Sequence, residues 1–430
     1  MPSSFQRNAV NVNPSLQTVS VAGLLDQISS TGTDPQRGGY TRPVYSTAEL
    51  DLRSWFIEQA TKRGLSVEHD RNGVIWAWWD TASGDRDDAL VTGSHLDSVP
   101  GGGPYDGPLG VASALVALDI LRGRMSAPPR AIAIAVFPEE EGSRFGVACL
   151  GSRLMTGAID PDKARNLRDQ DGTTFAEAAA ANGLDPRFIG QDTETLSKIG
   201  AFVELHVEQG RGLIDLDRSV AIGSSILGHG RWKLSVYGQG NHAGTTLMED
   251  RKDPMIAAAR IIIAIRESAK GHPQARATVG RVQPVPGGTN VIASRVDLWL
   301  DVRHPDDAVT AAVIEDILTR SQALSAEEGC SVELREESLS RTVHFDRQLK
   351  DRLQVILPDA PVLDTGAGHD AGVLSEVLPT AMLFVRNPSG ISHSPEEHVE
   401  NDDAEAGAHA LAEALEGLVR PTETSHAELP

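Results

Sequence analysis

Cysteine is scarce in this chain. Only Cys149 and Cys330 occur among 430 residues, which excludes a disulfide framework and a cysteine-rich zinc module. Such a low content is typical of a reducing compartment, so we expect a cytoplasmic location. The first eight residues contain no apolar signal core. The aliphatic run at residues 261–265 is far too short to cross a membrane.

Basic residues are also comparatively few. Lysine and arginine total 39 against 60 aspartates and glutamates, which gives a formal net charge of −21 at pH 7. This balance argues against nucleic acid or an anionic membrane as a partner. The local charge of a pocket can oppose the overall field, so a small-molecule substrate of either sign is still allowed.

Chain length and the alternation of elements predict two domains and an α/β fold. A chain of 430 residues is longer than one hydrophobic core usually supports. Strand patterns at residues 74–79, 89–95, 131–137 and 201–206 alternate with helical patterns such as 109–121. This order predicts a three-layer catalytic domain with a mixed sheet.

The middle of the chain predicts an inserted unit. Its strand and helix patterns follow the order β-α-β-β-α-β, which is the ferredoxin-like arrangement. The patterns lie at residues 232–237, 254–269, 277–285, 296–302, 307–323 and 331–335. We therefore expect a discontinuous catalytic domain at residues 18–223 and 338–420, a lid at 224–337, and a flexible tail at 421–430.

Five candidate metal ligands lie at or just beyond the ends of predicted strands: His95, Asp106, Glu141, His206 and His393. Sites in open α/β sheets gather at the carboxyl ends of strands. Imidazole and carboxylate are usual ligands of zinc and similar ions. A single catalytic zinc keeps three protein ligands, so five suit two metals that share a carboxylate. Asp106 is the predicted bridge, because its glycine-rich loop lets the backbone approach a metal closely.

Two further carboxylates are expected beside these ligands. The run Glu139-Glu140-Glu141 follows a continuous apolar strand, and we assign Glu141 as a ligand and Glu140 as the general base of an amide hydrolysis. Asp97 is expected to accept the imidazole N–H of His95 and fix its tautomer. Taken alone, each feature is more often a solvated loop or an ordinary polar strand end. Their coincidence at one sheet edge indicates a site.

These motifs resemble the hydantoinase/carbamoylase branch of the aminoacylase and carboxypeptidase metallohydrolases. That branch includes N-carbamoyl-L-amino acid hydrolases, allantoate amidohydrolases and β-ureidopropionases. The matching stretches run in order through most of the chain: Gly93-Ser94-His95-Leu96-Asp97-Ser98-Val99, Tyr105-Asp106-Gly107, Glu139-Glu140-Glu141-Gly142-Ser143-Arg144-Phe145, Glu204-Leu205-His206-Val207-Glu208-Gln209-Gly210, Asn241-His242-Ala243-Gly244-Thr245-Thr246, Asn290, Asp301-Val302-Arg303, Gly366-Ala367-Gly368-His369-Asp370 and Ser392-His393-Ser394. One departure from the family motif is Leu247, where many relatives carry proline. This difference weakens any inference of the substrate from the relatives.

The resemblance implies roles that spacing does not show. The five ligands would hold two zinc or manganese ions per subunit, with cobalt and nickel as alternatives, and Glu140 would be the base. The lid would form the interface of a homodimer, across which His242 would stabilise the oxyanion in the partner's site. Substrate contacts would come from Gln209, Asn290, Arg303 and Gly368.

Arg303 is expected to clamp a substrate carboxylate with two parallel hydrogen bonds. The alternative for Arg303 is an ion pair with Asp301 or Asp306. The roles of His369 and Asp370 stay open.

Three functions are compatible with these features. The first is hydrolysis of the ureido C–N bond of allantoate or an N-carbamoyl-L-amino acid. The second is an aminoacylase or peptidase-type deacylase on the same two-metal scaffold, against which the stretches at residues 142–145 and 208–210 count. The third is a non-catalytic binding protein that has kept the fold. The loss of a candidate metal ligand from the sequence would favour this function, but all five candidates are present.

Overall fold

The computed structural model of the protein describes residues 19–420. The predicted tail at 421–430 and the predicted first residue of the catalytic domain, residue 18, lie outside the described residues. The strands are β1 (Ser66–His69), β2 (Ile75–Trp79), β3 (Ala89–His95), β4 (Ile132–Phe137), β5 (Ile199–Val207), β6 (Val220–Ile226), β7 (Gly228–Tyr237), β8 (Asn241–His242), β9 (Arg276–Val285), β10 (Val291–Ile292), β11 (Arg295–His304), β12 (Ser331–Ser340), β13 (Val343–His344), β14 (Val362–Thr365) and β15 (Thr380–Val385).

The helices are α1 (Val21–Ile28), α2 (Thr47–Lys62), α3 (Pro108–Arg122), α4 (Leu150–Thr156), α5 (Pro161–Arg165), α6 (Phe175–Ala181), α7 (Thr193–Lys198), α8 (Gly212–Leu216), α9 (Pro254–Lys270), α10 (Asp307–Glu327), α11 (Arg347–Ile356), α12 (Asp370–Leu374) and α13 (Asn401–Val419), with one 3₁₀ turn at Met248–Asp250. None of them is long and apolar enough to cross a bilayer, within residues 19–420.

A nine-stranded mixed sheet forms the centre of the molecule. Its order is β1-β2-β4-β3-β5-β15-β6-β13, and β14 also pairs with β6. The strands β4, β3, β5 and β15 are parallel neighbours, whereas β2 joins β4 and β6 joins β15 in antiparallel pairs. The prediction of a mixed α/β fold is confirmed.

Hydrophobic cores cover both faces of this sheet. Strand β4 is buried along its whole length, and its side chains alternate between the two cores. Ile134 and Val136 pack with α2, α3 and α13 on one face. Ala135 and Phe137 pack with Phe202 and other side chains on the opposite face. A continuous apolar run is therefore what a central strand with both faces covered requires.

A second, four-stranded antiparallel sheet has the order β12-β7-β11-β9. Helices α9 and α10 cover one of its faces and share a separate core that includes Leu234, Ile261, Leu298 and Ile317. Along the chain the elements follow the predicted β-α-β-β-α-β order. The predicted boundaries of the inserted unit lie at residues 223/224 and 337/338. The first falls inside β6 and the second inside β12. The function of this unit as a lid stays a prediction.

The helices that the sequence analysis missed are mostly short. Helices α4 to α8 and α12 have five to seven residues each. Isolated helices of this length are unstable in water, so packing against the rest of the molecule specifies them. Helix α13, which was not predicted either, has 19 residues and packs against α3 in the main core.

Candidate metal centre

The carboxylate of Asp106 lies between two groups of candidate ligands. Its Oδ1 lies 3.2 Å from Nε2 of His206 and 3.5 Å from Nε2 of His95. Its Oδ2 lies 3.3 Å from Nε2 of His393, which in turn lies 3.5 Å from Oε2 of Glu141. The five predicted ligands therefore meet at one place, and each oxygen of Asp106 faces its own group.

Main-chain carbonyls orient the two buried histidines. Nδ1 of His95 lies 3.0 Å from the carbonyl oxygen of Asp97, and Nδ1 of His206 lies 3.0 Å from that of Val207. An N–H donated from Nδ1 leaves Nε2 free to face Asp106, which is how metal-binding histidines are usually held.

The structure corrects the predicted role of Asp97. Its nearest carboxylate oxygen lies 3.7 Å from His95 Nδ1, beyond hydrogen-bond distance, because the main-chain carbonyl of Asp97 takes that bond. The two carboxylate oxygens of Asp97 instead accept the main-chain N–H groups of Glu140 and Glu141, at 3.2 and 3.1 Å. Asp97 therefore holds the acidic segment against the end of β3.

The loop between β3 and α3 places Asp106 under tight steric limits. Gly107 has φ +85°, and a Cβ there would lie 2.6 Å from Cε1 of His95. A larger residue would displace the imidazole or the loop, and L residues rarely adopt this φ. Pro108 then begins α3 at a position where a missing N–H costs nothing.

Several buried polar atoms of this cluster have no hydrogen-bond partner among the described residues. They include Nε2 of His95, Nε2 of His206 and Oε1 of Glu141. Buried polar atoms are rarely left unpaired. Imidazole nitrogens and carboxylate oxygens are the donors that zinc and manganese accept. The residues therefore fit a divalent metal centre.

The electrostatics also indicate that positive charge belongs here. Burial first, and then the charge of Asp106, raise the pKa of Glu141 to about 8. Burial lowers the pKa of His95, but the neighbouring carboxylates, Glu140 foremost, outweigh it and hold that pKa well above its usual value. Crowded carboxylates repel one another where water is excluded, and bound cations remove this repulsion.

Glu140, the predicted base, is buried beside the ligands. Its Oε2 lies 3.6 Å from Nε2 of His95, and its Oε1 accepts a hydrogen bond from the thiol of Cys149 at 3.3 Å. Burial raises the pKa of Glu140 well above its usual value. The contact between Cys149 and Glu140 forms only in the folded chain, so no sequence pattern predicts a role for Cys149.

A cavity of about 950 Å³ opens over these residues. Of the four residues predicted to contact substrate, Gln209, Arg303 and Gly368 line it together with Glu140. Gln209 donates from Nε2 to Oδ2 of Asp106 at 3.0 Å. The four-stranded sheet thus contributes Arg303 to this cavity, and the segments that follow strands of the large sheet contribute the candidate ligands Asp106, Glu141 and His393.

Arg303 is already engaged in this structure. Its guanidinium makes two hydrogen bonds to the carboxylate of Asp301, at 2.7 and 3.1 Å, and one to the carbonyl of Gly366 at 2.7 Å. The ion pair with Asp301 that the sequence left as an alternative therefore forms. A guanidinium has five N–H groups, so two of those of Arg303 are not used in these contacts.

His242 and Asn290 do not line this cavity. They lie together at one end of the four-stranded sheet, where β8 pairs with β10 and the N–H of Ala243 donates to the carbonyl of Asn290 at 3.1 Å. Both side chains are exposed. Within one chain, the structure separates them from the metal centre.

His369 and Asp370, whose roles the sequence left open, are buried next to the cluster. The ring of His369 lies 4.4 Å from that of His206, centroid to centroid. Asp370 accepts a hydrogen bond from Oγ of Ser152 at 2.5 Å. Glu397, which the sequence analysis did not single out, is also buried here. Only the fold brings these residues together.

Comparison with known proteins identifies the family. Residues 91–417 match the sequence profile of Peptidase family M20/M25/M40. The chain belongs to this family. M20 enzymes are metal-dependent hydrolases, in agreement with the cluster around Asp106.

The relatives of this family member include amidohydrolases. An N-carbamoyl-L-amino acid amidohydrolase of Geobacillus stearothermophilus is 35% identical over 393 residues, which cover 90% of this chain and 95% of the relative. An allantoate amidohydrolase of Escherichia coli K12 is 33% identical over 401 residues and covers 90% and 95%. A solved structure of an amidase of the hydantoinase/carbamoylase family from Burkholderia multivorans superposes with a TM-score of 0.83 at 30% identity, covering 94% of this chain and 99% of that one.

Removal of metal is expected to make stability depend on pH. Without bound cations, burial raises the pKa of Glu139, of Glu141 and of Asp370 to about 8, above the values in an unfolded chain. The folded state then binds more protons than the unfolded state between about pH 5 and 8, so its stability falls as pH rises. Bound cations take the place of these protons and should flatten the curve.

Thermal unfolding of chelator-treated and metal-loaded protein, measured at several pH values in this interval, tests this expectation. The difference in unfolding temperature between the two forms should widen as pH rises. A constant or narrowing difference would show that cations do not compensate these carboxylates.

Proposed function

We propose that this M20/M25/M40 family member is an amidohydrolase that cleaves the ureido C–N bond of a carboxylate-bearing ureido acid. The observation that carries the proposal is the division of the two Asp106 oxygens between two ligand groups, in a cavity also lined by Glu140 and Arg303. The names of the relatives supply the substrate class, because allantoate and N-carbamoyl-L-amino acids both combine a ureido group with a carboxylate.

Two divalent cations, zinc or manganese with cobalt and nickel as alternatives, would be held by the residues around Asp106. His95, Asp106 and His206 form one group, and Asp106, Glu141 and His393 form the other. When bound, such cations polarise a carbonyl oxygen and make a water molecule more acidic. The shared aspartate supports a pair of ions rather than a single one.

Glu140 is placed to move the protons of the reaction. It lies beside the ligands in a buried position, next to His95 and Cys149. As general base it takes a proton from the water that attacks the ureido carbon, and it then delivers that proton to the leaving nitrogen. The C–N bond breaks, and the carbamate that is released decomposes to carbon dioxide and ammonia.

Arg303 is placed to receive the carboxylate of the substrate. Asp301 and the carbonyl of Gly366 hold its guanidinium in position, so its two remaining N–H groups can pair with a carboxylate at little cost in side-chain entropy. Gln209 and Gly368 line the same cavity and would contact the rest of the substrate.

The exposed pair His242 and Asn290 supports a homodimer built through the four-stranded sheet. In their own chain they do not reach the cavity, yet they belong to motifs shared with the carbamoylase branch. We propose that they complete the active site of a second subunit, where His242 would donate to the oxyanion. An oxyanion donor of this kind contributes about 10²–10³ in turnover.

A deacylase of N-acyl amino acids or a peptidase is the second candidate, since the family description itself names peptidases. The ligand geometry around Asp106 does not separate the two reactions. Ammonia release does, because an acyl amino acid or a peptide yields none.

Replacement of Glu140 by Gln is expected to lower turnover of a ureido acid by at least about 100-fold, since general bases contribute about 10²–10⁴. Metal content should stay that of the wild type, because Glu140 is not among the proposed ligands. Ammonia release and elemental analysis measure the two. Glu376→Gln is the matched control, because Glu376 is an exposed carboxylate that lines the same cavity and is not among the candidate ligands. Turnover of Glu140→Gln within tenfold of wild type would remove the base assignment.

Replacement of Arg303 by Ala is expected to raise KM for ureido acids at least about tenfold, since hydrogen bonds to charged groups contribute about 1.5–3 kcal/mol. Substrates in which an amide replaces the carboxylate should be affected far less. Arg295→Ala is the control, because Arg295 lies on the same strand but pairs with Asp297 at 3.1 Å outside the cavity. Equal losses on charged and neutral substrates would refute the clamp.

Mixing two inactive variants tests whether His242 acts across subunits. Glu140→Gln and His242→Ala are each expected to be nearly inactive. A mixed dimer contains one subunit of each variant. The subunit with intact Glu140 receives an intact His242 from its partner, so one of the two active sites of the dimer is complete. After subunit exchange roughly a quarter of all sites should be active, because half of the dimers are mixed. If mixing restores no activity although mixed dimers form, His242 does not act across the interface.

A further inference from the structure

Glu397 is a buried carboxylate that the proposed reaction does not use. It is 3% exposed and follows His393 by four residues. Its Oε1 accepts the main-chain N–H groups of Tyr105 and Asp106, at 2.9 and 3.0 Å. One side chain thus joins the segment that carries His393 to the loop that carries Asp106.

The other oxygen of Glu397 extends this link to a residue of the cavity. Oγ of Ser392 donates to Oε2 of Glu397 at 3.4 Å, and it accepts a hydrogen bond from Nε2 of Gln209 at 2.8 Å. Gln209 also donates to Oδ2 of Asp106 at 3.0 Å. Hydrogen bonds therefore run in a closed ring from Glu397 through Ser392 and Gln209 to Asp106, and back to Glu397 through the main-chain N–H of Asp106.

The glycine-rich loop is shaped to admit this carboxylate. A Cβ added at Gly103 would lie 2.5 Å from Cβ of Glu397, which no real side chain tolerates. The loop can therefore approach Glu397 only because residue 103 has no side chain. Packing against Glu397 therefore requires glycine at position 103.

We propose that Glu397 is a positioning residue that sets the metal affinity of this site by fixing the Asp106 loop against the His393 segment. The inference rests on the proposed metal centre. Asp106 and His393 come from distant parts of the sequence and carry no direct covalent restraint on their separation. Residues that hold metal ligands in place typically change metal affinity about 10–100-fold when they are replaced.

The loss of this carboxylate has a defined physical cost. In Glu397→Ala, the N–H groups of Tyr105 and Asp106 lose their partner in a buried place, which is unfavourable. The loop would shift until water could accept hydrogen bonds from these N–H groups, and Asp106 would move relative to His393. In Glu397→Gln, the amide oxygen can still accept both N–H groups, so the loop should keep its position.

Metal affinity, measured by competition with a chromophoric chelator for zinc and for manganese, tests the proposal without substrate. Glu397→Ala is expected to weaken affinity at least about tenfold, and Glu397→Gln should restore it to within about threefold of wild type. Glu396→Ala is the matched control, because that neighbouring carboxylate is exposed and its side chain accepts a hydrogen bond from Ser394 rather than from the Asp106 loop. It should bind metal as the wild type does.

Two results would overturn the proposal. One is a folded Glu397→Ala protein with wild-type affinity, and the other is a Glu397→Gln protein as weak as the alanine variant. If the alanine variant does not fold, Glu397→Asp replaces it; its shorter carboxylate cannot reach both N–H groups, so unchanged affinity there also overturns the proposal. A wild-type protein that binds no metal would instead contradict the proposed metal centre, and one that binds metal but releases no ammonia would contradict the proposed substrate.

Discussion

The shared carboxylate of Asp106 is the interaction on which the rest of the site depends. It faces His95 and His206 with one oxygen and His393 with the other, and Glu141 lies next to His393. His393 is half exposed, but the side chains of the other four residues are buried, and carboxylates crowded in a buried place are costly unless positive charge lies among them. Burial first, and then the charge of Asp106, raise the pKa of Glu141 to about 8, which is the direction expected where further negative charge is unfavourable. A pair of divalent ions, as proposed here, would satisfy this requirement and would also supply the chemistry of hydrolysis.

The fold meets this constraint by bringing ligands to one edge of the large sheet. His95 ends β3, His206 lies near the end of β5, and the strand β15 leads to the segment of His393. These three strands are parallel neighbours, so their carboxyl ends coincide. The four-stranded sheet adds Arg303 to the lining of the same cavity.

Sequence patterns were sufficient for the central strands and for the five residues that meet around Asp106; that these residues bind metal stays a prediction. The apolar run of β4 predicted a strand covered on both faces, and the polar residues after such strands predicted the cluster. Contacts between distant segments could not be predicted. The main-chain carbonyl of Asp97, rather than its carboxylate, holds His95, and spacing cannot distinguish these two acceptors. Glu397 and Cys149 reach the site only through folding. The short helices around residues 150–216 depend on packing rather than on local propensity.

Anomalous diffraction from crystals grown with zinc or manganese would test the role of Asp106 most directly. The account predicts two anomalous peaks about 3.5–4 Å apart, the usual spacing of paired metal ions. One peak should lie among His95, His206 and Asp106, and the other among Asp106, Glu141 and His393. A single peak at full occupancy, or two peaks that Asp106 does not bridge, would contradict the central claim.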